Sequence, residues 1–443
     1  MNHAFLILKR WMALLACAGI LSFAGSRIEA ADEAAKTPAA ETAATTAATP
    51  AAGDAGHAAA NVPGHGHGGE AKHVSFAEQF GYSYLTAYMF CLSLCMGSLF
   101  LVIVHHLFDA GWSASIRRVT EQLSSLLFPW MLVLLIPILV LQKQIYPWLS
   151  LDPAQDHSLA VKVVLFNPTA FNLFLIALVG SWGAIAHSFR RWSLAQDKDG
   201  KVEWTRKSRV LAAAGIFYFA FSLTLGCFYL MKSLQHQFFS TMYGVYYFAG
   251  SVWTTLATVY VLIMVLSRPG MPLEKVVFKR QQQDVGVLFF AFTVFYAYIH
   301  FSQYFLIWNA AMPEETFWYV RREYGSWKWV GFTILFGHFF IPFLLMLNQD
   351  IKRKLFLMFP MAAWAWLMHY VDMTFNVMPV LHPEGLHVSI LDPLLWFGMT
   401  GFLAVMFWRN FNSAAPYPLR DPRFAEAVTH HEIPAAGGAA SHH

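Results

Sequence analysis

Long apolar runs alternate with short polar connections from Phe76 to about residue 410. Each run has roughly 17 to 25 residues, which is the length that a helix needs to cross a bilayer. The pattern therefore predicts an all-α, polytopic transmembrane protein with about nine spanning helices. The runs cover residues 83–108, 123–146, 165–189, 209–230, 244–267, 285–309, 327–347, 355–378 and 390–408.

The residues on either side of this membrane domain, which extends over 76–410, have a different composition. Lys9 and Arg10 precede an apolar run at 11–24, so residues 1–30 are predicted to be a signal peptide or an N-terminal transmembrane anchor. Residues 31–75 are rich in Ala, Thr, Gly and His and poor in large apolar side chains, which predicts a disordered segment. Residues 411–443 are predicted to be a disordered tail.

The charges of the connections predict the topology. Lys and Arg are concentrated in every second connection, and the positive-inside rule places those connections and the C-terminal tail in the cytoplasm. The N-terminal segment then lies outside, which agrees with a leader sequence. The basic connections contain Arg117 and Arg118; Arg190, Arg191, Lys198, Lys201, Arg206, Lys207 and Arg209; Arg268, Lys275, Lys279 and Arg280; and Lys352, Arg353 and Lys354.

Composition supports a membrane protein. It does not indicate a nucleic-acid-binding protein or a cysteine-bound metal site. The 443 residues are 57% hydrophobic and 13% charged, whereas soluble domains carry about 25% charged residues. The net charge of +4 is spread over several connections, so it does not predict a nucleic-acid-binding patch. The cysteines form no C-x-x-C pair, and Cys91 and Cys95 are predicted to pack as small apolar residues. No metal site is predicted in the chain, and a metal centre would belong to a partner or be a haem held by histidines.

Polar residues share one face of the run at 355–378. His369, Asp372 and Asn376 stand at positions i, i+3 and i+7 of the predicted helix. A carboxylate in a membrane segment is energetically costly and usually serves proton or ion transfer, which is the role predicted for these residues. The alternative is a polar clamp between helices.

A second polar face lies in the run at 285–309, which contains His300, Gln303 and Tyr304. A quinone headgroup needs a donor or acceptor at each carbonyl, an apolar slot and a group that accepts the proton of the quinol. These residues are therefore candidate quinone contacts. The aromatic and acidic residues 312–324 that follow predict a folded cap at the water interface.

Further histidines suggest a proton path from the cytoplasmic side. His338 lies near the middle of its run, and it is predicted to connect an inner cluster to His369 and Asp372. Single histidines at helix ends are also common as interfacial residues. The inner cluster consists of His105, His106, Asp109 and His187.

Residues 298–320, Y-I-H-F-S-Q-Y-F-L-I-W-N-A-A-M-P-E-E-T-F-W-Y-V, resemble the corresponding region of the ActF-type membrane subunit of bacterial alternative complex III. That subunit belongs to the NrfD/PsrC-like group of membrane proteins. The number and order of the runs from about Phe80 to Asn410 are similar as well.

The resemblance implies a subunit of a quinol:cytochrome c oxidoreductase in the bacterial inner membrane, with a periplasmic N-terminal segment. It implies two four-helix bundles plus extra helices, and a role in quinol interaction, transmembrane proton conduction or both. It also implies that a homologous NrfD-like subunit, an iron–sulfur subunit and multihaem and monohaem cytochrome c subunits are partners. Those partners would carry the haems and clusters, while this chain would contact quinone.

Two other classes stay open at this point. Histidines on different spans could ligate haem b in the membrane anchor of another oxidoreductase. A self-standing ion or solute transporter would have broken helices, and Pro129, Pro137 and Pro342 are the candidates for such breaks.

Overall fold

The computed structural model describes residues 74–429, and these are helical without any strand. This confirms the prediction of an all-α, polytopic membrane protein. The predictions for residues 1–73 and 430–443 lie outside the described part. The α-helices of six or more residues are α1 Phe76–Leu107, α2 Arg117–Ser124, α3 Trp130–Val140, α4 Pro168–Asp199, α5 Val202–Leu230, α6 Tyr243–Leu266, α7 Lys279–Ala310, α8 Pro313–Glu323, α9 Trp327–Thr333, α10 Ile341–Met346, α11 Leu355–Val377, α12 Leu391–Phe411 and α13 Phe424–Thr429.

Each of the nine predicted spans coincides with helical structure. Within residues 74–429, eight segments are long and apolar enough to cross a membrane: α1, α2 with α3, α4, α5, α6, α7, α9 through α10, and α12. The remaining predicted span, α11, has 23 residues, which is about 35 Å of helix. Its second half carries the polar residues His369, Asp372 and Asn376, which are the predicted proton-transfer residues.

Helices α1 and α6 form the centre and are buried on nearly all sides. They approach closely at Gly97, where a Cβ atom would lie 2.5 Å from the Ser251 carbonyl oxygen. Small residues permit such contacts, and hydroxyl groups then bond across the interface. Tyr247 donates to the Met89 carbonyl at 2.8 Å, and Thr255 donates to the Leu94 carbonyl at 3.1 Å.

The other spans surround this pair. Helices α2, α3 and α5 pack against α1, with α4 against α5, while α7 and α11 pack against α6. The first four spans, α1 to α5, therefore contact one another, and so do the next four, α6 to α11. Helix α12 is the additional span and packs against α1. This arrangement agrees with two bundles of four helices plus an extra one.

The seventh span changes its helical geometry in its middle. Residues Ile334–Phe340 form a π-helical segment between α9 and α10, and Pro342 begins the next turns. The Trp364 indole donates to the Gly337 carbonyl at 2.7 Å, which satisfies one backbone group there. Such segments are rare and often redirect a functional side chain, and here the side chain is that of His338.

The connections predicted to be cytoplasmic meet at one end of the bundle, together with the start of the tail. Arg423 donates to Asp109 at 3.1 Å, and Arg117 forms an ion pair with Asp421 at 2.5 Å. Gln281 at the start of α7 donates to the Ala427 carbonyl at 2.7 Å. The prediction of a disordered tail is therefore wrong for residues 411–429, because buried ion pairs and α13 hold them in place.

The connections without a basic surplus meet at the opposite end. His236 contacts Asp156 at 2.7 Å, and His382 contacts Gln79 at 2.8 Å. Helix α8 folds over this end, as expected for a cap at residues 312–324. The separation of the two kinds of connection supports the predicted alternation of the spans.

Candidate functional site

The polar face of α11 meets a row of tyrosines on α6 inside the bundle. Tyr246 donates its hydroxyl proton to Asp372 Oδ1, and Tyr243 donates to Asn376 Oδ1 at 2.9 Å. The Asn376 amide donates to the Tyr246 oxygen at 3.0 Å, and Tyr296 of α7 donates to the same oxygen at 3.4 Å. Three helices therefore share one buried hydrogen-bond network around a carboxyl group.

Only one of the two Asp372 oxygens takes part in that network. Oδ1 also lies 3.3 Å from the Asn376 amide, while Oδ2 has no hydrogen-bond partner among the described residues. Oδ2 lies 3.9 Å from Nδ1 of His369, one helical turn earlier. That distance is too long for a direct hydrogen bond and suits a single bridging atom.

The hydrogen-bond pattern assigns the tautomer of His369. Its Nε2 lies 2.9 Å from the Ser93 hydroxyl oxygen, and Ser93 donates its own proton to the Phe90 carbonyl at 2.7 Å. The Ser93 oxygen therefore accepts from His369, so Nε2 carries the proton and Nδ1 has a free lone pair. This lone pair faces Asp372 Oδ2.

His338 completes the buried centre from the π-helical segment. Its ring packs between Trp253 and Tyr296, with ring centroids 3.8 Å and 3.6 Å away. The ring of His369 follows at 6.4 Å. Neither ring nitrogen of His338 has a hydrogen-bond partner within the described part of the chain, and the side chain is fully buried. The structure thus brings His338, His369, Asp372 and Asn376 together as predicted.

Gly250 on α6 makes the space for this centre. A Cβ atom there would lie 2.9 Å from Cε1 and 3.2 Å from Nδ1 of His369. Any larger residue would displace the imidazole, because contacts below 3.0 Å require a neighbouring atom to move. The small residue therefore sets the position of the histidine lone pair.

The three candidate quinone contacts, His300, Gln303 and Tyr304, lie in different surroundings. The His300 ring lies 5.4 Å from Tyr246 and 5.8 Å from Tyr296, at the margin of the buried network. Gln303 is buried and accepts from Ser240 while donating to Tyr319, each at 3.1 Å. Its amide has the character of a structural clamp between α7 and the cap.

Tyr304 lies on the outer surface of α7 and is not part of the network. It is 40% exposed and donates to Glu323 at 3.3 Å. Among the three quinone candidates, only His300 touches the network around Asp372, and the assignment of all three to quinone stays a prediction.

Arg322 of the cap closes the outer side of the network. Its guanidinium is buried and donates to the Phe375 and Asn376 carbonyls at 2.9 Å and 3.0 Å. These are carbonyls of the last helical turn of α11, which lack partners inside the helix. The guanidinium carbon lies 3.5 Å from the centre of the Trp318 ring. Burial lowers the pKa of Arg322 to about 9.

The histidines at the inner end of the predicted proton path lie far from Ser93, which contacts His369. His105 and His106 are buried at the end of α1, beside Trp112 and Phe189 respectively. They stand at least 12 residues from Ser93 on the same helix, which corresponds to about 18 Å.

Two members of the predicted path point elsewhere. Asp109 is 46% exposed and pairs with Arg209 and Arg423. His187 is exposed on the surface of α4, so the prediction that it lines the path is wrong. The rotation of α4 about its own axis places His187 on the surface, and the position of His187 in the sequence does not specify that rotation.

The residues that connect the two polar faces are not among those predicted from the sequence. Tyr243, Tyr246, Gly250 and Trp253 stand at i, i+3, i+7 and i+10 of α6, a helical stripe that could have been recognised. Ser93 and Arg322 carried no comparable signal, because one is a single hydroxyl and the other lies in a charged cap.

Comparison with protein-family models finds no match to this chain, and no curated protein matches its sequence. The likeness of residues 298–320 to the ActF-type subunit therefore stays a prediction from the sequence.

Proposed function

We propose that this chain is an integral membrane subunit of a quinol:cytochrome c oxidoreductase of the alternative complex III type. It contributes to quinol interaction, transmembrane proton conduction or both in the inner membrane of a bacterium. In this proposal the N-terminal segment is periplasmic and the tail is cytoplasmic. An NrfD-like membrane subunit, an iron–sulfur subunit and multihaem and monohaem cytochrome c subunits are its partners.

The observation that carries the proposal is the buried carboxyl group of Asp372 within a network built from several spans. Ionisable groups in a membrane domain are costly and serve proton or ion transfer far more often than packing. The network contains groups that both donate and accept protons, namely tyrosine hydroxyls and imidazoles. A simple helix clamp would not require unpaired nitrogen and oxygen atoms facing each other, as in His369 and Asp372.

His300 supports a link between quinol and this network. Its ring lies beside Tyr246, and Tyr246 is bonded to Asp372. A proton released by a quinol at His300 would therefore have Tyr246 and Asp372 as successive acceptors.

The packing of the histidines does not favour the haem b alternative. A bis-histidine haem places its iron about 2 Å from each nitrogen, with the macrocycle between the two imidazoles. Trp253 and Tyr296 cover the faces of the His338 ring, and the ligand atoms of His369 and Asp372 lie within 4.8 Å of its ligand atom, so side chains rather than open space surround its nitrogens.

The seventh span likewise offers little for a transporter. Residues Ile334–Phe340 stay helical in the π form, whereas the unwound half-helix of a midplane ion site would expose free carbonyl groups.

The test is the measurement of quinol:cytochrome c turnover and proton movement in membranes that contain Asp372→Asn or His369→Ala. Each variant is expected to lower turnover or coupling about tenfold or more, in the range of lost acid–base groups. His187→Ala is the matched control, since this histidine is exposed on α4.

Copurification of the cytochrome and iron–sulfur subunits with each variant establishes that the complex assembles. If both variants assemble and retain normal turnover and coupling, the network has no part in the reaction. If the wild-type chain purifies without cytochrome partners, the assignment to an oxidoreductase is wrong.

A further inference from the structure

One cluster in the described chain has the composition of a transition-metal site. His338, His369 and Asp372 each offer a ligand atom, and these atoms lie within 4.8 Å of one another. All three side chains are almost completely buried, with at most 1% exposure. Two imidazole nitrogens and one carboxylate oxygen form a ligand set that suits zinc and related divalent ions.

The free atoms of the cluster are those that a metal ion would use. Both nitrogens of His338, Nδ1 of His369 and Oδ2 of Asp372 have no hydrogen-bond partner among the described residues. A buried polar atom without a partner costs about 1–3 kcal/mol, so several such atoms facing one another are unusual. A shared bridging ion satisfies one atom of each residue at once.

The surroundings orient two of these three ligands, His369 and Asp372, as in established metal sites. A histidine that binds a metal normally donates its second ring N–H to a nearby acceptor. His369 does so to Ser93 at 2.9 Å, which leaves Nδ1 as the ligand atom. Asp372 is similarly held at Oδ1 by Tyr246, which leaves Oδ2 available.

Geometry and charge limit the identity of the ion. Ligands at about 2.0–2.2 Å from zinc are separated by about 3.3 Å, so binding requires the ligand atoms, which lie within 4.8 Å of one another, to approach by up to about 1.5 Å. Calcium and magnesium prefer sets made only of oxygen, so two imidazoles disfavour both ions.

We propose that His338, His369 and Asp372 bind one divalent transition-metal ion, and that the bound ion blocks proton transfer through Asp372. The binding rests on the ligand geometry alone, whereas the block rests on the proposed function. A metal held by Nδ1 and Oδ2 occupies both atoms between which a proton would pass. The ion would thus be an inhibitor of conduction.

The first experiment measures metal content and needs no turnover. The purified full-length protein, in its complex if one forms, is stripped with chelator, incubated with Zn²⁺, washed and analysed by elemental analysis. Because histidines outside the cluster also bind zinc, the readout is the difference between variants. Wild type is expected to retain one more zinc ion per chain than His369→Ala or Asp372→Asn, and His187→Ala is expected to equal wild type.

Co²⁺ provides a spectroscopic check, since a tetrahedral site with nitrogen and oxygen ligands gives visible absorption bands. Ser93→Ala removes only the group that orients His369, and it is expected to weaken binding about 10- to 100-fold. This variant keeps the test valid if His369→Ala fails to fold. Equal zinc content and equal cobalt spectra in wild type and all cluster variants would overturn the proposal.

The effect of zinc on turnover distinguishes the metal site from the role of Asp372 in proton conduction. If zinc binds at the cluster and wild-type turnover is unaffected, the block and the role of Asp372 in conduction are both wrong. If zinc does not bind while Asp372→Asn lowers turnover, the proposed function stands and the metal site does not.

Discussion

Arg322 offers a sharp test of how a buried charge holds the cap on the membrane bundle. Its guanidinium bonds to the carbonyls of Trp318, Phe375 and Asn376 and also lies 3.3 Å from Gln235 Oε1. Within residues 74–429, no carboxylate forms an ion pair with it. Arg322 is thus a cation neutralised only by dipoles and an aromatic ring.

The opposing contributions are of similar size. Hydrogen bonds to a charged group are worth about 1.5–3 kcal/mol each, so the three carbonyl bonds contribute about 6 kcal/mol. Burial lowers the pKa of Arg322 from 12.5 to about 9, a cost of about 5 kcal/mol for keeping the charged form. The net contribution of the charged group to folding is therefore only about 1 kcal/mol.

Substitution by Met and by Lys should separate the two contributions. Arg322→Met loses the bonds and the charge together and packs its sulfur against Trp318, but it leaves the Phe375 and Asn376 carbonyls without a donor, so we expect a loss of about 2 kcal/mol. Arg322→Lys keeps a buried charge but cannot reach all three carbonyls, and we expect a loss of about 4 kcal/mol. The conservative change is thus expected to be the more damaging one.

The assay is unfolding of the purified protein in mild detergent, followed by thermal and denaturant curves for the three proteins. Tryptophan fluorescence follows the unfolding of the whole protein, because the chain has 16 tryptophans. The reasoning is refuted if Arg322→Lys is as stable as wild type while Arg322→Met is strongly destabilised.

Two other substitutions, Gly250→Ala with Gly398→Ala as its control and Asp421→Asn, test the centre and the tail. Gly250→Ala places a Cβ atom 2.9 Å from His369, so we expect a net destabilisation of about 1 kcal/mol, whereas Gly398→Ala has open space and should stabilise its helix by up to about 1 kcal/mol. The same unfolding curves measure both, and equal effects would contradict the assigned packing. Burial raises the pKa of Asp421, but Arg117 and Arg423 lower it further, to well below 3.8. A lowered carboxyl pKa stabilises the tail above pH 4, and this contribution is lost as the pH falls further. The protection of residues 411–429 from hydrogen exchange, relative to the intrinsic rate at each pH, should therefore fall below pH 4 in wild type. Asp421→Asn should lack this protection already at pH 7, with a loss of about 3–5 kcal/mol. Full protection in that variant would disprove the anchoring role.

Several features were predictable because they depend on local properties of the chain. The length of an apolar run is enough to predict a spanning helix, since lipid offers no other partner for backbone groups. The eight segments that can cross a membrane, and α11 beside them, therefore follow from the sequence. The common face of His369, Asp372 and Asn376 also follows, because it depends only on 3.6 residues per turn.

The contacts between helices could not be predicted in this way. His187 and His338 look alike in the sequence, yet the rotation of α4 exposes one and the π-helical segment buries the other. Gln303 is a candidate quinone contact in the sequence, but in the structure its amide bonds to Ser240 and Tyr319.

The sequence by itself determined the class, the spans and which polar residues stand within them. Only the tertiary structure decided that Tyr246 joins the two polar faces and that Gly250 leaves room for His369. The physical reason is that the position of a span depends on its own hydrophobicity. The meeting of polar side chains depends instead on the rotation and approach of several helices, which small residues far apart in the sequence set together.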